Sequence, residues 1–295
     1  MRMATPTKDY STISPSAKSL LWMKALTDIP FARAAAGLVF GEDELPQESD
    51  ERVTPNFLKR LMHFDVRYWS IDTALGMMGL TNILEVSSGF SFRGLHQVLY
   101  HDRFYIDTDL PEVIAIKEKL LQPLMRTLPD APLGQLLVKP LNVLDEDAFL
   151  ALVRRFPPGP LALVNEGLLV YLDEEEKRRM CRIVRSILKE RGGYWVTADV
   201  YVRKMENEMA ALSEVTPEIS KFLADHHVNE NKFGSFGEAE TFFRSCGLKL
   251  AYKAAPEPDM IRSRELLRRK GQQVPPIPLV QRHRIRETWI LEPSR

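Results

Sequence analysis

Four places in the chain put an acid at the end of a short apolar run. Ile83-Leu84-Glu85-Val86 reads as a buried strand and stops at Ser87-Ser88-Gly89, small residues that let a backbone turn tightly beside a ligand. Arg103 to Asp109 reads as a second strand ending in Asp107-Thr108-Asp109. It falls about 20 residues further on, where an acid that hydrogen-bonds a ribose usually sits. Pro160 to Asn165 runs into Glu166-Gly167, and Gly193 to Asp199 ends in its own acid. Ligands of parallel α/β sheets bind beyond the carboxyl ends of the strands, so these four ends share one rim. One such acid is as readily a solvated loop residue; four together are not. A helix beginning near Ser91 completes the strand, turn and helix of a nucleotide-binding unit. The turn holds one glycine where the dinucleotide fingerprint has three.

Other chemistry is poorly provided for. The six histidines show no metal-ligand spacing, and His226-His227 are adjacent, so both cannot face one site on a helix. The two cysteines, Cys181 and Cys246, lie far apart in helix-like segments and read as small buried hydrophobes of a reducing compartment. Forty basic and forty acidic residues cancel, which leaves no net charge to steer the chain to nucleic acid or an anionic membrane. No apolar run is long enough to span a bilayer. The polar first residues lack a secretory signal's apolar segment. A soluble cytoplasmic protein is expected, with no metal.

The elements that must position the rim follow in order. Residues 1 to 16 read as a loosely held arm, and 16 to 40 as two short helices broken at Asp28-Ile29-Pro30. Asn56 to Met78 returns to helical periodicity, and the sheet follows. After strand two, Pro111 opens a helix with the stripe Val113, Ile114, Ile116, Leu120 and Leu121. Gly134 to Lys139 is a third strand, Asp145 to Phe156 a helix, and Asp173 to Arg191 a helix with acids in its first turn. Alternating strands and helices point to a parallel sheet covered on both faces. The alternation then breaks. Val200 to Lys232 carries Met and Leu at helical spacing, as an inserted cap would. Ser235 to Ser245 is a helix and Leu248 to Lys253 a sixth strand. Pro256 to Pro278 is expected to be a surface connection, and Glu287 to Leu291 a last strand pairing antiparallel with its predecessor.

Three blocks resemble the leucine carboxyl methyltransferase family, which includes polyketide carboxyl methyltransferases. They are Ile83 to Arg93, Tyr105 to Ile114 with Lys117, and Glu166-Gly167-Leu168-Leu169-Val170-Tyr171-Leu172. Arg67 to Asp72 is similar to a fourth, the family's Arg-Thr-x-x-Ile-Asp helix. The resemblance implies a class I methyltransferase sheet: Rossmann-like α/β, mostly parallel, with an antiparallel last strand. Residues 1–80 would form a helical N-terminal region. Residues 81–295 would form the S-adenosylmethionine-binding domain, with a cap insertion at about 200–235. By position, Asp109 would hold the ribose, with Asp107 its neighbour or substitute. Ser87 and Gly89 would let the methionine portion pass, with Glu85 at the same strand end. Glu166 and Gly167 would face the methionine end, and Arg67 would bind its carboxylate. Lys18 would be a second cation there. The alternative for Lys18 is an exposed helical lysine, and for Arg67 a surface ion pair with Asp65 or Asp72. Tyr171, Tyr201, Met205, Met209 and Phe222 are candidates to line the acceptor side.

Ser87 stands where the family has glycine, which a small side chain tolerates if its φ is ordinary. Ser91-Phe92 replaces Asp-Thr. Pro140-Leu141-Asn142 sits where the family has Asp-Leu, so Leu141 packing and Asn142 hydrogen bonds would serve the adenine. A carboxylate acceptor needs no general base near neutral pH, because its pKa is about 4. A small-molecule carboxylate acceptor is therefore expected. A protein C-terminus and a non-catalytic cofactor-binding protein are the alternatives; a nicotinamide dehydrogenase would want more glycine after strand one.

Overall fold

The computed structural model describes residues 14–128, 130–203, 224–274 and 285–294. Strand β1 (Asn82–Val86) is buried at every position, as an apolar run is when strands flank both edges and helices cover both faces. It pairs in parallel with β2 (Phe104–Asp109) and with β4 (Leu161–Asn165). β3 (Gln135–Pro140) lies beyond β2, and β5 (Gly193–Tyr201) beyond β4, both parallel. The last two strands are β6 (Leu248–Ala254) and β7 (Arg286–Pro293), and the sheet order is β3-β2-β1-β4-β5-β7-β6. The winding reverses between β1 and β4, so their carboxyl ends open a crevice. The expected last strand is β7. It pairs antiparallel with its predecessor β6 and, on its other edge, with β5.

Among the described residues, three α-helices precede the sheet: α1 (Ser14–Lys24), α2 (Ala32–Phe40) and α3 (Pro55–Met78). α3 has Pro55 in its first turn, and the Thr54 hydroxyl accepts from Phe57 N–H at 3.1 Å. Proline there loses no helical hydrogen bond, and the cap satisfies one exposed donor. Interleaved with the strands come α4 (Arg93–Tyr100), α5 (Pro111–Arg126), α6 (Glu146–Val153), α7 (Glu174–Arg191) and α8 (Phe236–Ser245). Asp173 and Glu176 form a reciprocal capping box that starts α7. One apolar cluster packs α6, α7 and α8 on one side of the sheet, and another sets Ile71, Ala74 and Leu75 of α3 with Val98 of α4 against the other. A third joins α1 and α2 to α4 and α5.

One expectation is corrected. Within the supposed surface connection, Arg262–Arg269 is a helix, α9, preceded by a 3₁₀ turn at Pro258–Met260. Its Leu266 and Leu267 are buried with Ile261 against Leu58, Leu61 and Met62 of α3. Apart from buried Ser263, the remaining positions are charged, and Arg262–Glu265 and Glu265–Arg269 pair along the outer face. A narrow apolar stripe in a charged segment was enough to hold the helix once α3 covered it. Of the expected cap, residues 204–223 lie outside the described residues; Val202 and Phe233 form a parallel bridge at its base.

Candidate functional site

The crevice at the β1–β4 reversal is a cavity walled by five segments. They are Ala17 to Lys24 of α1, Phe64 and Arg67 of α3, the turn Ser87 to Ser91, Asp109 to Val113, and Leu141 to Leu144. The stretch Glu166 to Leu172 closes it. Ser87, Gly89, Asp109, Leu141, Asn142, Glu166, Gly167, Arg67 and Tyr171 are therefore brought together around one space.

The β1 turn is tight because two of its residues, one on either side of Ser88, use left-handed backbone. Gly89 has φ 51°, and Ser87 has φ 54°. The ordinary φ that would let serine replace glycine at Ser87 is not what the chain adopts. A Cβ in this region crowds the following carbonyl, at a cost of about 1–2 kcal/mol. Asp109 holds the turn from outside. Gly89 N–H donates to its Oδ2 at 2.7 Å and Leu110 N–H to its Oδ1 at 2.7 Å. Burial raises its pKa, and these two N–H groups pull the other way. Each oxygen keeps a further lone pair for a ligand hydroxyl.

Two expected residues sit behind the wall. Asp107 is buried against Lys117 Nζ at 2.9 Å, and the same ammonium donates to Ser88 Oγ at 2.8 Å. Glu85 is fully buried, paired with Arg93 and receiving the Tyr105 hydroxyl at 2.6 Å. Both brace the turn and neither lines the cavity. Lys18 is exposed and also outside the lining, as its alternative reading held. The α1 cation that faces the cavity is Lys24, on a different side of the helix.

Lys24 belongs to a charged cluster built around Glu166. Lys24 Nζ donates to Glu166 Oε1 at 3.0 Å, Arg67 Nε to Oε1 at 3.1 Å, and Arg93 Nη2 to Oε2 at 2.8 Å. Arg93 also donates to Asp72 Oδ1 at 2.8 Å and lies over the Tyr68 ring. Arg67 thus pairs with neither Asp65 nor Asp72. Burial would raise the Glu166 pKa, but Lys24, Arg67 and Arg93 together hold it well below the usual range. Burial, opposed by Glu166, lowers that of Lys24. The loop carrying Glu166 is pinned by Asp199, whose carboxylate accepts the N–H groups of Gly167, Leu168 and Leu169 and the amide of Asn165. Gly167 has φ 78°, and a Cβ there would lie 3.4 Å from Arg67 Nη2. That nitrogen makes no hydrogen bond among the described residues.

Behind Arg67 lies a pair of which the sequence singled out Tyr201 but not its partner His63. Tyr201 OH receives Arg67 Nη1 at 3.2 Å and lies 2.8 Å from His63 Nε2. Burial, with Arg286, Arg67 and Lys232 nearby, pushes the His63 pKa well below its ordinary value, so the ring is neutral. Tyr201 does not line the cavity, and Met205, Met209 and Phe222 lie outside the described residues. No local motif marks His63 or Lys24. Arg93 ends the Ile83 to Arg93 block, just after the turn residues.

No protein-family model matches this chain, and no curated protein matches it in sequence. Among solved structures it is similar to a DUF574 family protein from Streptomyces avermitilis MA-4680. That match has 14% identity over 94% of this chain and 97% of the other, with a TM-score of 0.51. It is also similar to the mitomycin 7-O-methyltransferase MmcR (12% identity, 93% of this chain, TM-score 0.47). A third match is LepI with SAH and a substrate analogue (10% identity, 72% of this chain, TM-score 0.42). The chain spans only 60% of MmcR and 43% of LepI. Likeness at this level shows the fold. The sheet order, with β7 alone antiparallel, makes it a Rossmann-like α/β fold.

Proposed function

We propose that the chain is an S-adenosylmethionine-dependent O-methyltransferase of the leucine carboxyl methyltransferase kind, acting on a carboxyl group of a small molecule. The observation that carries this is the layout of the crevice. Cations and Glu166 stand at the β4 end, Asp109 at the β2 end, and Leu110, Val113, Leu141 and Asn142 beyond it. That order matches a zwitterionic amino acid, a ribose and a flat base in series.

The unpaired Arg67 Nη2 beside Gly167 would receive the cofactor's carboxylate, and ionised Glu166 its ammonium. Asp109 would accept from the ribose hydroxyls while still holding the Gly89 turn. Leu141 would pack against the adenine and Asn142 hydrogen-bond it. S-adenosylmethionine supplies a methyl group on a sulfonium, open to in-line displacement. The chain's part is alignment and exclusion of water. An acceptor carboxylate is already ionised at neutral pH and requires no proton removal. A second reading, an acceptor hydroxyl, draws on neutral His63, which has a lone pair or a proton to exchange through Tyr201.

Thermal melts test the cofactor. At 100 times its dissociation constant, S-adenosylhomocysteine should add about 2.7 kcal/mol, and NAD nothing. Stabilisation by NAD alone would overturn the reading. Asp109→Ala should weaken S-adenosylmethionine binding by roughly 1.5–3 kcal/mol, read by calorimetry. Arg67→Ala should weaken S-adenosylmethionine more than its decarboxylated analogue; equal losses would remove Arg67 from that role. Once an acceptor is in hand, single-turnover rates level from pH 6 to 8 support the carboxylate. A unit slope lost in His63→Gln supports the hydroxyl.

A further inference from the structure

Away from the crevice, α7 and the end of α8 enclose a second concavity, lined by Arg178, Arg182, Arg185, Arg244, Ser245 and Cys246. Positions 178, 182 and 185 recur at helical spacing, so three guanidinium groups project from one face of α7. Two of the four arginines are compensated: Arg178 pairs with Glu174 at 2.8 Å and Arg244 with Glu240 at 2.7 Å. Arg182 and Arg185 have no carboxylate partner among the described residues. Arg185 Nε is buried without any hydrogen-bond acceptor. A Cβ at Gly247, where φ is 75°, would collide with that nitrogen, so the glycine lets the guanidinium pass. The groove thus holds two cations, one with a buried donor, and offers them nothing to bind.

A sulfur faces this charge. Arg178 Nη1 donates to Ser245 Oγ at 2.9 Å and reaches Cys246 Sγ at 3.9 Å. Cys246 is half-buried and Cys181 fully buried behind it. The Cys181 thiol, then Ser245 and Arg178, lower the Cys246 pKa to about 6, whereas burial and Cys246 push that of Cys181 well up. Within this pair the Cys181 thiol and the Arg178 guanidinium favour the thiolate form of Cys246. The two cysteines are both free, as expected, but only Cys181 is the buried hydrophobe the sequence suggests; Cys246 is half-buried.

We propose that this groove is a covalent capture site at which Cys246 forms a mixed disulfide with small disulfides bearing carboxylates, docked by Arg182 and Arg185. The Cys246 thiolate attacks one sulfur of the incoming disulfide. A new sulfur–sulfur bond forms, the incoming one breaks, and the departing thiolate takes a proton from water. No external oxidant is required, since the disulfide itself is reduced. Carboxylates fit the arginines because a guanidinium fork matches their geometry. Electrostatic docking raises the local concentration of the anionic reagent alone.

The whole protein would be exposed at low ionic strength to glutathione disulfide (anionic), 2-hydroxyethyl disulfide (neutral) and cystamine (cationic), and adducts followed by intact mass. Glutathione disulfide should react about tenfold faster than the neutral reagent and cystamine slowest. Salt should compress the series as the Debye length shortens. Arg182→Gln/Arg185→Gln should abolish the charge preference while Cys246 still reacts. Cys246→Ser should give no adduct, since Cys181, the one other cysteine in the chain, is buried. Reaction rates that ignore reagent charge in the wild type, an adduct mapped to Cys181, or a preference that survives loss of both arginines would overturn the proposal. The charge series needs no variant, so it decides even if a variant fails to fold.

Discussion

Two faces of α3 bury charge in opposite ways, two residues apart. Arg67 points into the crevice, where Glu166 gathers three cations. Asp65 points away, against α9, fully buried, with Ser263 N–H and hydroxyl donating to one oxygen at 3.0 and 2.8 Å and no ion pair among the described residues. Its other oxygen has no partner. Burial opposes ionisation of both acids. Cations overcome it at Glu166, whereas at Asp65 burial outweighs the two hydrogen bonds and lifts the pKa to about 6. The lesson is that burial sets a common penalty and the neighbours decide the charge state. The crevice face is kept ionised; the α9 face readily takes up a proton.

The largest way to break this contrast is to empty the crevice face of its central cation. Arg93→Ala leaves Glu85, Asp72 and part of Glu166 facing one another without a counter-charge. Removing one partner of a buried ion pair costs about 3–5 kcal/mol, and urea denaturation should show a loss of that size. Arg182→Gln, in the open α7 groove, should change stability by less than about 0.5 kcal/mol. A similar loss from both would mean that the cluster around Glu166 does not hold the fold.

The α9 face is sharpened by pH. The Asp65 pKa is raised on folding, so the folded state holds its proton more tightly between about pH 4 and 6. Its contribution is therefore most favourable at low pH and falls as pH rises through that window, by up to roughly 1.4 kcal/mol per pH unit. Glu166, depressed on folding, contributes in the opposite sense and loses stability on acidification. Asp65→Asn should gain stability relative to the wild type from pH 4 to 6, with a constant difference above it. A difference independent of pH would show that Asp65 stays ionised.

The smallest effect concerns strain, which the crevice face carries and the α9 face does not. Ser87→Gly should relieve the left-handed backbone and stabilise the protein by up to about 1 kcal/mol, offset in part by glycine's greater unfolded freedom. Ser87→Ala should give no gain. Equal midpoints for Ser87→Gly and the wild type in a thermal melt would place the strain elsewhere.

Much of this frame was legible in the residues. β1, β2 and β4 are short apolar runs whose ends carry Glu85, Asp109 and Glu166, and strand period and turn residues are local signals. Asp109, Glu166 and Arg67 reached the cavity as their positions implied. Three kinds of feature were not readable. Lys24 and Lys18 share a helix and a residue type, and only the rotation of α1 against the sheet separates them. Glu85 and Asp107 look like rim acids, but Arg93 and Lys117 arrive from later helices and turn them into braces. α9 was hidden because its two leucines gain their meaning only from α3, some two hundred residues earlier in the chain. Ser87 shows a further limit: a side chain names the residue, whereas φ belongs to the turn.

The placement of β7 bears on how such a chain is made. β5 and β6 are not neighbours; β7 lies between them and is hydrogen-bonded to both. During synthesis from the N-terminus, the five parallel strands can pair as they emerge, but β5 then ends the sheet. Its buried residues Trp195, Val196, Ala198 and Val200, which face both sides of the sheet, are left beside an open edge. β6 emerges next and has no strand to join. Both wait for Arg286–Pro293, and an open apolar edge is the kind of surface that joins another chain. The ribosome must therefore deliver the keystone strand after the two it joins, and until it does the nascent protein carries an unpaired edge open to another chain.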